Sequence, residues 1–261
     1  MKLDLSRYQL KLAETEAEIA GAQRLRYRVF VEEMGAVARP EEQAVRREWD
    51  RFDAFFDHLV LIDLDPGLAD PLDRVVGAYR LMRDSSAAAG LGFYSAAEYD
   101  LAPILASGRS SVELGRSCVA AAHRGGPAMH LLWNGVADYV LTRGIEILFG
   151  VASFPGTDPE PIAEALSYLH LRHLAPPDLR VRAQPRCHIA MDRLPVGAIE
   201  PSRALQAVPP LIKAYLRAGG WVGDGACLDR AFNTIDVCVV MDTTRMTERY
   251  RAFYQRNRAR P

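Results

Sequence analysis

Apolar residues recur at helical spacing over residues 16–34, with Arg24, Arg26 and Arg28 interleaved, so the pattern predicts a helix there. Gly35 to Glu48 is polar and punctuated by Pro40, which reads as a loop or a short helix. Leu59–Asp63 and Arg74–Arg83 read as two strands joined by the turn Asp65-Pro66-Gly67 and a polar insertion. Tyr94 to Leu105 is predicted helical. Ser111 to Ala120 is predicted as a buried strand that runs into an Arg/Gly loop, and a long apolar-periodic helix follows from Pro127 to Arg143. Proline at a helix start costs nothing, because the first N–H has no helical partner. Gly144 stops that helix, and Ile145 to Ser153 is a central strand.

In the second half, the turn Phe154–Pro159 carries Asp158, suited to cap a helix that runs to about Arg172 and ends at Ala175-Pro176-Pro177. Strand-like Leu179–Ala183 and Cys187–Asp192 come next, then a helix over Ser202–Arg217. Gly219-Gly220 turns the chain into Trp221–Leu228, and Ile235–Met241 is the last apolar strand. Strands alternating with helices imply an α/β fold with a mixed sheet. No repeat or linker divides the chain. Residues 1–261 therefore read as one domain, with a core over 15–175 and an extension over 176–261 that completes the sheet.

A chain of 261 residues, 49% hydrophobic and 25% charged, can bury a substantial core. Its net charge of −1 gives no field that would gather nucleic acid. Met1–Ala22 lacks the apolar stretch of a signal peptide, and no run approaches the roughly 20 apolar residues that span a bilayer. Cys118, Cys187, Cys227 and Cys238 form no Cys-x-x-Cys pair, and three of them sit in apolar strand-like runs. Buried free thiols are the expectation, with a reducing, cytoplasmic location and any membrane contact peripheral to the inner face.

The strand–loop–helix order around Ser111–Pro127 carries the candidate chemistry. Arg124, Gly125 and Gly126 lead into the helix start, where exposed N–H groups suit a phosphate. The strand itself holds Glu113 and Arg116, ionisable where a strand of a closed sheet is usually apolar. Residues three apart on a strand point to opposite faces, so these two are not expected to pair unless a bulge re-aims one. A desolvated Glu113 suits a general base, and N–H groups near Val119 suit an oxyanion. A phosphate cradle beside a buried carboxylate points to acyl transfer from a phosphopantetheine thioester.

Longer motifs sharpen this. Arg26-Tyr27-Arg28-Val29-Phe30-Val31-Glu32-Glu33-Met34-Gly35, Glu113-Leu114-Gly115-Arg116-Ser117-Cys118-Val119 and Ala152-Ser153-Phe154-Pro155-Gly156-Thr157-Asp158 resemble the ornithine–acyl carrier protein N-acyltransferases, a group within the Gcn5-related acyltransferases. The likeness extends through Ala165–His170, Pro209–Lys213 and a late block from Gly219 to Cys238, and covers roughly residues 15–256. Acyl-homoserine-lactone synthases share Arg26, Phe30, Asp50, Asp53, Arg80-Leu81, Glu113 and Arg116 alone.

The resemblance implies a Gcn5-related mixed sheet flanked by helices. It implies transfer of a 3-hydroxyacyl chain from acyl carrier protein to the α-amine of L-ornithine, with no resident cofactor, because phosphopantetheine arrives on the carrier. It assigns Glu113 and Tyr168 to catalysis, the latter protonating the departing thiolate. Arg116, Val119, Arg124, Gly125 and Gly126 fall to the donor arm, and Arg26, Asp50, Asp53 and Arg80 to the acceptor. Plainer roles stand beside these: surface arginines, a solvated acidic loop that caps a helix, and a core tyrosine with a wet tip. Pro127 replaces a glycine of the wider superfamily and removes one N–H donor. This fits the single phosphodiester of a carrier arm, or simply a helix start. His170 and His173 have metal-site spacing but no companion ligand, so no metal is expected. A lactone synthase using S-adenosylmethionine is the runner-up, opposed by the long C-terminal half and its acids Asp224, Asp229 and Asp236. A non-catalytic acyl- or carrier-binding module is the third reading.

Overall fold

The structure, a computed structural model, describes residues 6–245. It opens with an edge strand, β1 (Tyr8–Leu12), followed by α1 (Glu16–Arg26). Thr15 starts α1 through a capping box, its hydroxyl accepting from Glu18 N–H while the Glu18 carboxylate accepts from Thr15 N–H. The predicted helix then widens into a π-helical turn over Tyr27–Glu33, where Met34 N–H reaches back to the Val29 carbonyl at 3.1 Å. Such widened turns recur at functional sites. The polar stretch after it holds α2 (Pro40–Val45).

β2 (Asp57–Asp63) and β3 (Val75–Arg83) form the expected antiparallel pair, and α3 (Asp84–Ala89) follows. The helix expected over Tyr94–Leu105 is instead a 3-10 turn at Tyr94–Ala97, β4 (Tyr99–Asp100) and α4 (Ala102–Ala106). Two long-range contacts break it. The Glu113 carboxylate takes the N–H groups of Tyr94 and Ser95, and Tyr99 pairs with Ala183.

Next come β5 (Ser111–Val119), α5 (Ala128–Thr142), β6 (Ile147–Pro155) and α6 (Ala163–His173), all close to expectation. Asp158 caps only the turn before α6, accepting from Glu160 N–H at 3.0 Å. Beyond it lie β7 (Arg182–Ala183) and β8 (His188–Ile189). The single helix expected over Ser202–Arg217 is split into α7 (Pro201–Ala207) and α8 (Pro210–Arg217), because the prolines at 209 and 210 bring no N–H to the helical ladder. β9 (Trp221–Val222), β10 (Ala226–Asp229) and β11 (Thr234–Asp242) complete the described chain.

One sheet runs in the order β1-β2-β3-β5-β6-β11-β10-β8, with β9 beside β11. Its pairs are antiparallel except β5–β6, which are parallel and linked through α5. Both faces are covered. On β11, Ile235, Val237, Val239 and Met241 pack with α5, α6 and α8, whereas Cys238 and Val240 pack on the other side with Phe93, Tyr99 and Phe149. This alternation explains why the strand reads as continuously apolar. Among the described residues, no helix is long and apolar enough to cross a membrane.

The cysteines differ from expectation. Cys187 and Cys227 form a disulfide, brought together where β8 lies against β10, and only Cys118 and Cys238 are free, both buried. The sequence separation of 40 residues gave no local sign of this pairing.

Candidate active site

β5 and β6 pair only from Ser111/Ile147 to Glu113/Phe149 and then part, and a cavity of about 200 Å³ occupies the fork. Gly150 stands at the apex, where a β-carbon would collide with the Leu114 carbonyl oxygen. The cavity reaches both faces of the sheet. Leu114, Val239 and Tyr215 belong to the core on the α5 side. Glu113 and Asp236 also line it, but they alternate with that core's residues along their strands and so face the opposite side.

Arg116 would point away from Glu113 in a regular strand. However, Ala78 pairs with Cys118 and Arg80 with Gly115, so β5 carries one extra residue there. Arg116 absorbs it in the left-handed region at φ 51°, and the bulge turns its side chain into the same cavity as Glu113. The two do not pair. Arg116 bonds Glu48 at 3.2 Å and Asp50 at 3.4 Å, and its guanidinium lies 4.1 Å from the Phe232 ring centre and 4.8 Å from that of Tyr94. The Glu113 carboxylate accepts from Tyr94 N–H at 2.8 Å, from Ser95 N–H at 2.6 Å and from the Ser95 hydroxyl. Burial pushes its pKa up, and those donors pull part of the way back.

Behind Arg80 lies a network of buried charges. Arg26 has no exposed surface, and Asp53 accepts from both its terminal nitrogens at 2.9 Å while Glu48 takes the rest through its carboxylate and its backbone carbonyl. Burial alone would raise the Glu48 carboxyl, but Arg26, Arg116 and Arg80 outweigh it and hold it at about 2. Asp53 is likewise held below the ordinary carboxylate range by Arg26 and Arg80, against its burial. Arg80 uses one terminal nitrogen on Asp50 and Asp53, and its guanidinium stacks on Phe56 at 4.3 Å. Its Nε and Nη2 are buried without a hydrogen-bond partner, on a residue that lines the cavity.

Three carboxylates gather on the side of the cavity away from α5. Glu98 follows the 3-10 turn, Asp229 ends β10 and Asp236 lies on β11, with carboxylate oxygens within 4.8 Å of one another. Glu98 Oε2 and Asp236 Oδ1 are buried and unpartnered. Burial raises both pKa values, and the neighbouring acids raise them further. On the α5 side, the hydroxyls of Tyr79 and Tyr215 lie 3.3 Å apart.

The fork between parallel strands, ahead of a helix start, is the arrangement expected for thioester-dependent acyl transfer, and comparisons agree. A sequence profile described as Acetyltransferase (GNAT) domain matches residues 25–134. A protein of Rhodobacter capsulatus named L-ornithine N(alpha)-acyltransferase is 54% identical over 249 residues, 95% of each chain. One of the same name from Rhizobium meliloti is 43% identical over 252 residues, 96% of this chain and 85% of that one. The chain belongs to the L-ornithine N(alpha)-acyltransferase family. The solved structure of FeeM, an N-acyl amino acid synthase from uncultured soil microbes, covers 91% of this chain and 92% of its own at a TM-score of 0.51. At 11% identity it shows the shared fold alone.

Within this acyltransferase fold, Glu113, Arg80 and Arg116 line the cavity. Arg26, Asp50 and Asp53, expected at the acceptor, are outside its lining. The buried arginines need counter-charges, and these carboxylates supply them. Tyr168 also lies elsewhere, on α6 with its ring 5.4 Å from that of His173. The tyrosines that line the cavity are Tyr79 and Tyr215, whose hydroxyls meet, and Tyr94, whose hydroxyl accepts from Arg116 at 3.4 Å; Ser117, Ser153 and Thr234 line it too. Val119, Arg124, Gly125 and Gly126 sit past the cavity, at the α5 end of β5. Arg124 donates to the Val119 carbonyl at 2.9 Å and to Glu33 at 2.5 Å. Gly125 takes φ 75°, and Pro127 precedes an α5 terminus with no side-chain cap. Glu98 was missed because it comes from an irregular turn. Asp236 carried a readable signal, an acid between Ile235 and Val237, of the same kind that singled out Glu113.

Proposed function

We propose that this chain transfers a 3-hydroxyacyl group from acyl carrier protein to the α-amine of L-ornithine. The observation that carries the reading is the 54% identity, over 95% of both chains, with the Rhodobacter capsulatus protein named for that acceptor. The fork supports it by offering a sheltered path through the sheet. The carrier's pantetheine arm enters from the α5 side, past Arg124, Gly125 and Gly126, and the amino acid enters from the other face.

In the reaction, the α-nitrogen attacks the thioester carbonyl carbon. The C–N bond forms, the C–S bond breaks, the nitrogen loses one proton and the departing thiolate gains one. Products are the N-acylated amino acid and free carrier thiol. Arg80 suits the ornithine carboxylate, because two unpartnered N–H groups of a fixed guanidinium match it bidentately. Arg116 adds positive charge beside it. Glu113 has about one acceptor position left beside its three donors, and its raised pKa suits it to receive the amine proton. The Tyr79–Tyr215 hydroxyl pair is suited to protonating the sulfur, the role first expected of Tyr168. Missing an N–H at Pro127, the loop favours an arm with one phosphodiester over the pyrophosphate of coenzyme A. The product carries an acyl chain, so its release implies peripheral contact with a membrane surface.

Purified protein is to be incubated with a 3-hydroxyacyl carrier-protein thioester and either ornithine or S-adenosylmethionine. Acylornithine and free carrier are expected with the first and nothing with the second. The same acyl group on coenzyme A is expected to give a much lower kcat/KM. Product from S-adenosylmethionine, or equal donor efficiencies, would overturn the acceptor or the carrier assignment respectively.

A further inference from the structure

We propose that Glu98, Asp229 and Asp236 form the subsite that holds the side-chain ammonium of the acceptor and thereby select a diamino acid over a neutral one. The inference rests on the proposed acylation of ornithine and assigns a part of the site that this reaction leaves unexplained.

Three carboxylates with oxygens within 4.8 Å of one another are costly in a buried place unless a cation joins them. The residues bracketing them supply none at hydrogen-bonding distance: Asp229 accepts only backbone N–H groups, from Ala231 at 2.8 Å and Phe232 at 3.1 Å. Glu98 is 9% exposed and Asp236 3%, and each keeps an oxygen that no donor meets. An independent observation points to the ligand's other end. Arg80 is 1% exposed, lines the same cavity, and has Nε and Nη2 unpartnered. Unsatisfied donors on one part of a cavity and unsatisfied acceptors on another fit a molecule with a carboxylate and a separate cation. The backbone end of any amino acid explains Arg80. The acids call for a cation beyond that backbone end, which a charged side chain supplies.

Burial and mutual repulsion favour the protonated forms of Glu98 and Asp236 in the empty site. An arriving ammonium reverses that preference, so it is bound with release of a proton. A neutral side chain of the same length has no such exchange to offer.

The test measures kcat/KM for ornithine and for norvaline, which has the same chain without the terminal amine, with one carrier-protein donor throughout. Wild type is expected to prefer ornithine. Glu98→Gln and Asp236→Asn are each expected to raise the KM for ornithine roughly tenfold to a hundredfold, with norvaline and donor KM values nearly unchanged. Asp229→Asn, at a half-buried position with less risk to folding, is expected to move the ratio the same way. Variants that keep the wild-type preference would overturn the subsite while leaving the reaction standing. A wild type that acylates no ornithine would overturn the reaction itself. Activity lost to a chelator and restored by a divalent ion, with the loss abolished in Asp236→Asn, would make the cluster a metal site and overturn the proposal.

Discussion

Gly150 and Leu114 touch where the parallel strands begin to part: the β-carbon of any other residue at 150 would strike the Leu114 carbonyl oxygen. The strands can separate into a usable fork only because they first approach this closely. Gly150→Ala is therefore expected to lose about 1–3 kcal/mol of stability, as backbone must shift to admit one methyl. A denaturation midpoint unchanged from wild type would show that the apex is slack.

Asp53 holds two arginines at once, so its substitution reads the ion network rather than the acceptor pocket. Asp53→Asn leaves Arg26 buried with half its counter-charge gone, and breaking such a pair costs about 3–5 kcal/mol. Thermal unfolding is expected at markedly lower temperature. Any surviving activity is expected with raised KM for ornithine, because Arg80 keeps only Asp50 of its two carboxylate anchors. A fully stable variant with altered ornithine KM alone would return Asp53 to direct acceptor binding.

Glu113→Gln is expected to lower kcat and also to cost about 1–3 kcal/mol, since the amide nitrogen must face a backbone N–H of Tyr94 or Ser95. Wild-type kcat in a folded Gln variant would remove Glu113 from proton transfer.

Ornithine binding without donor is expected to tighten as pH rises from about 6 towards about 9, because burial and the neighbouring acids push the Asp236 carboxyl up to about 6 and that of Glu98 up to about 9. The groups facing this pair include Asp229 on β10, Glu113 and Arg116 on β5, Ser153 on β6, Thr234 and Cys238 on β11, Tyr94 in the 3-10 turn and Tyr99 on β4. Since the folded values lie above the unfolded ones, their contribution to stability is complete below the ordinary carboxylate range and lost as pH climbs, by about 6 for Asp236 and by about 9 for Glu98. The unliganded protein is thus expected to melt lower at pH 9 than at pH 6, and ornithine to restore more at the higher pH. Calorimetry showing no proton release on binding would contradict this.

Much of the frame was legible because its signals are local. The β5–α5–β6 unit announces itself through a buried strand, an Arg/Gly loop, Pro127 and Gly144. Other features depend on partners distant in sequence. β1 is short, half-exposed and mixed in charge, and becomes a strand by pairing with β2. The bulge at Arg116 follows from register with β3, which no strand pattern discloses. Arg80 and Arg116, singled out by residue type, both line the cavity, but which arginine has free N–H groups depends on where Asp50 and Asp53 turn. The acid cluster joins a turn, one strand end and the middle of another, so Asp229 and Asp236 stood out as acids of the C-terminal half while Glu98 did not.

The most direct measurement is the position of the new amide in the product formed from acyl carrier-protein thioester and ornithine, read by fragmentation mass spectrometry or NMR. With the side-chain ammonium held by Glu98, Asp229 and Asp236 and the carboxylate on Arg80, only the α-nitrogen faces the fork, so acylation there alone is expected. An acyl group on the δ-nitrogen would contradict this arrangement, because the amine held by the acids would then be the one that reacts.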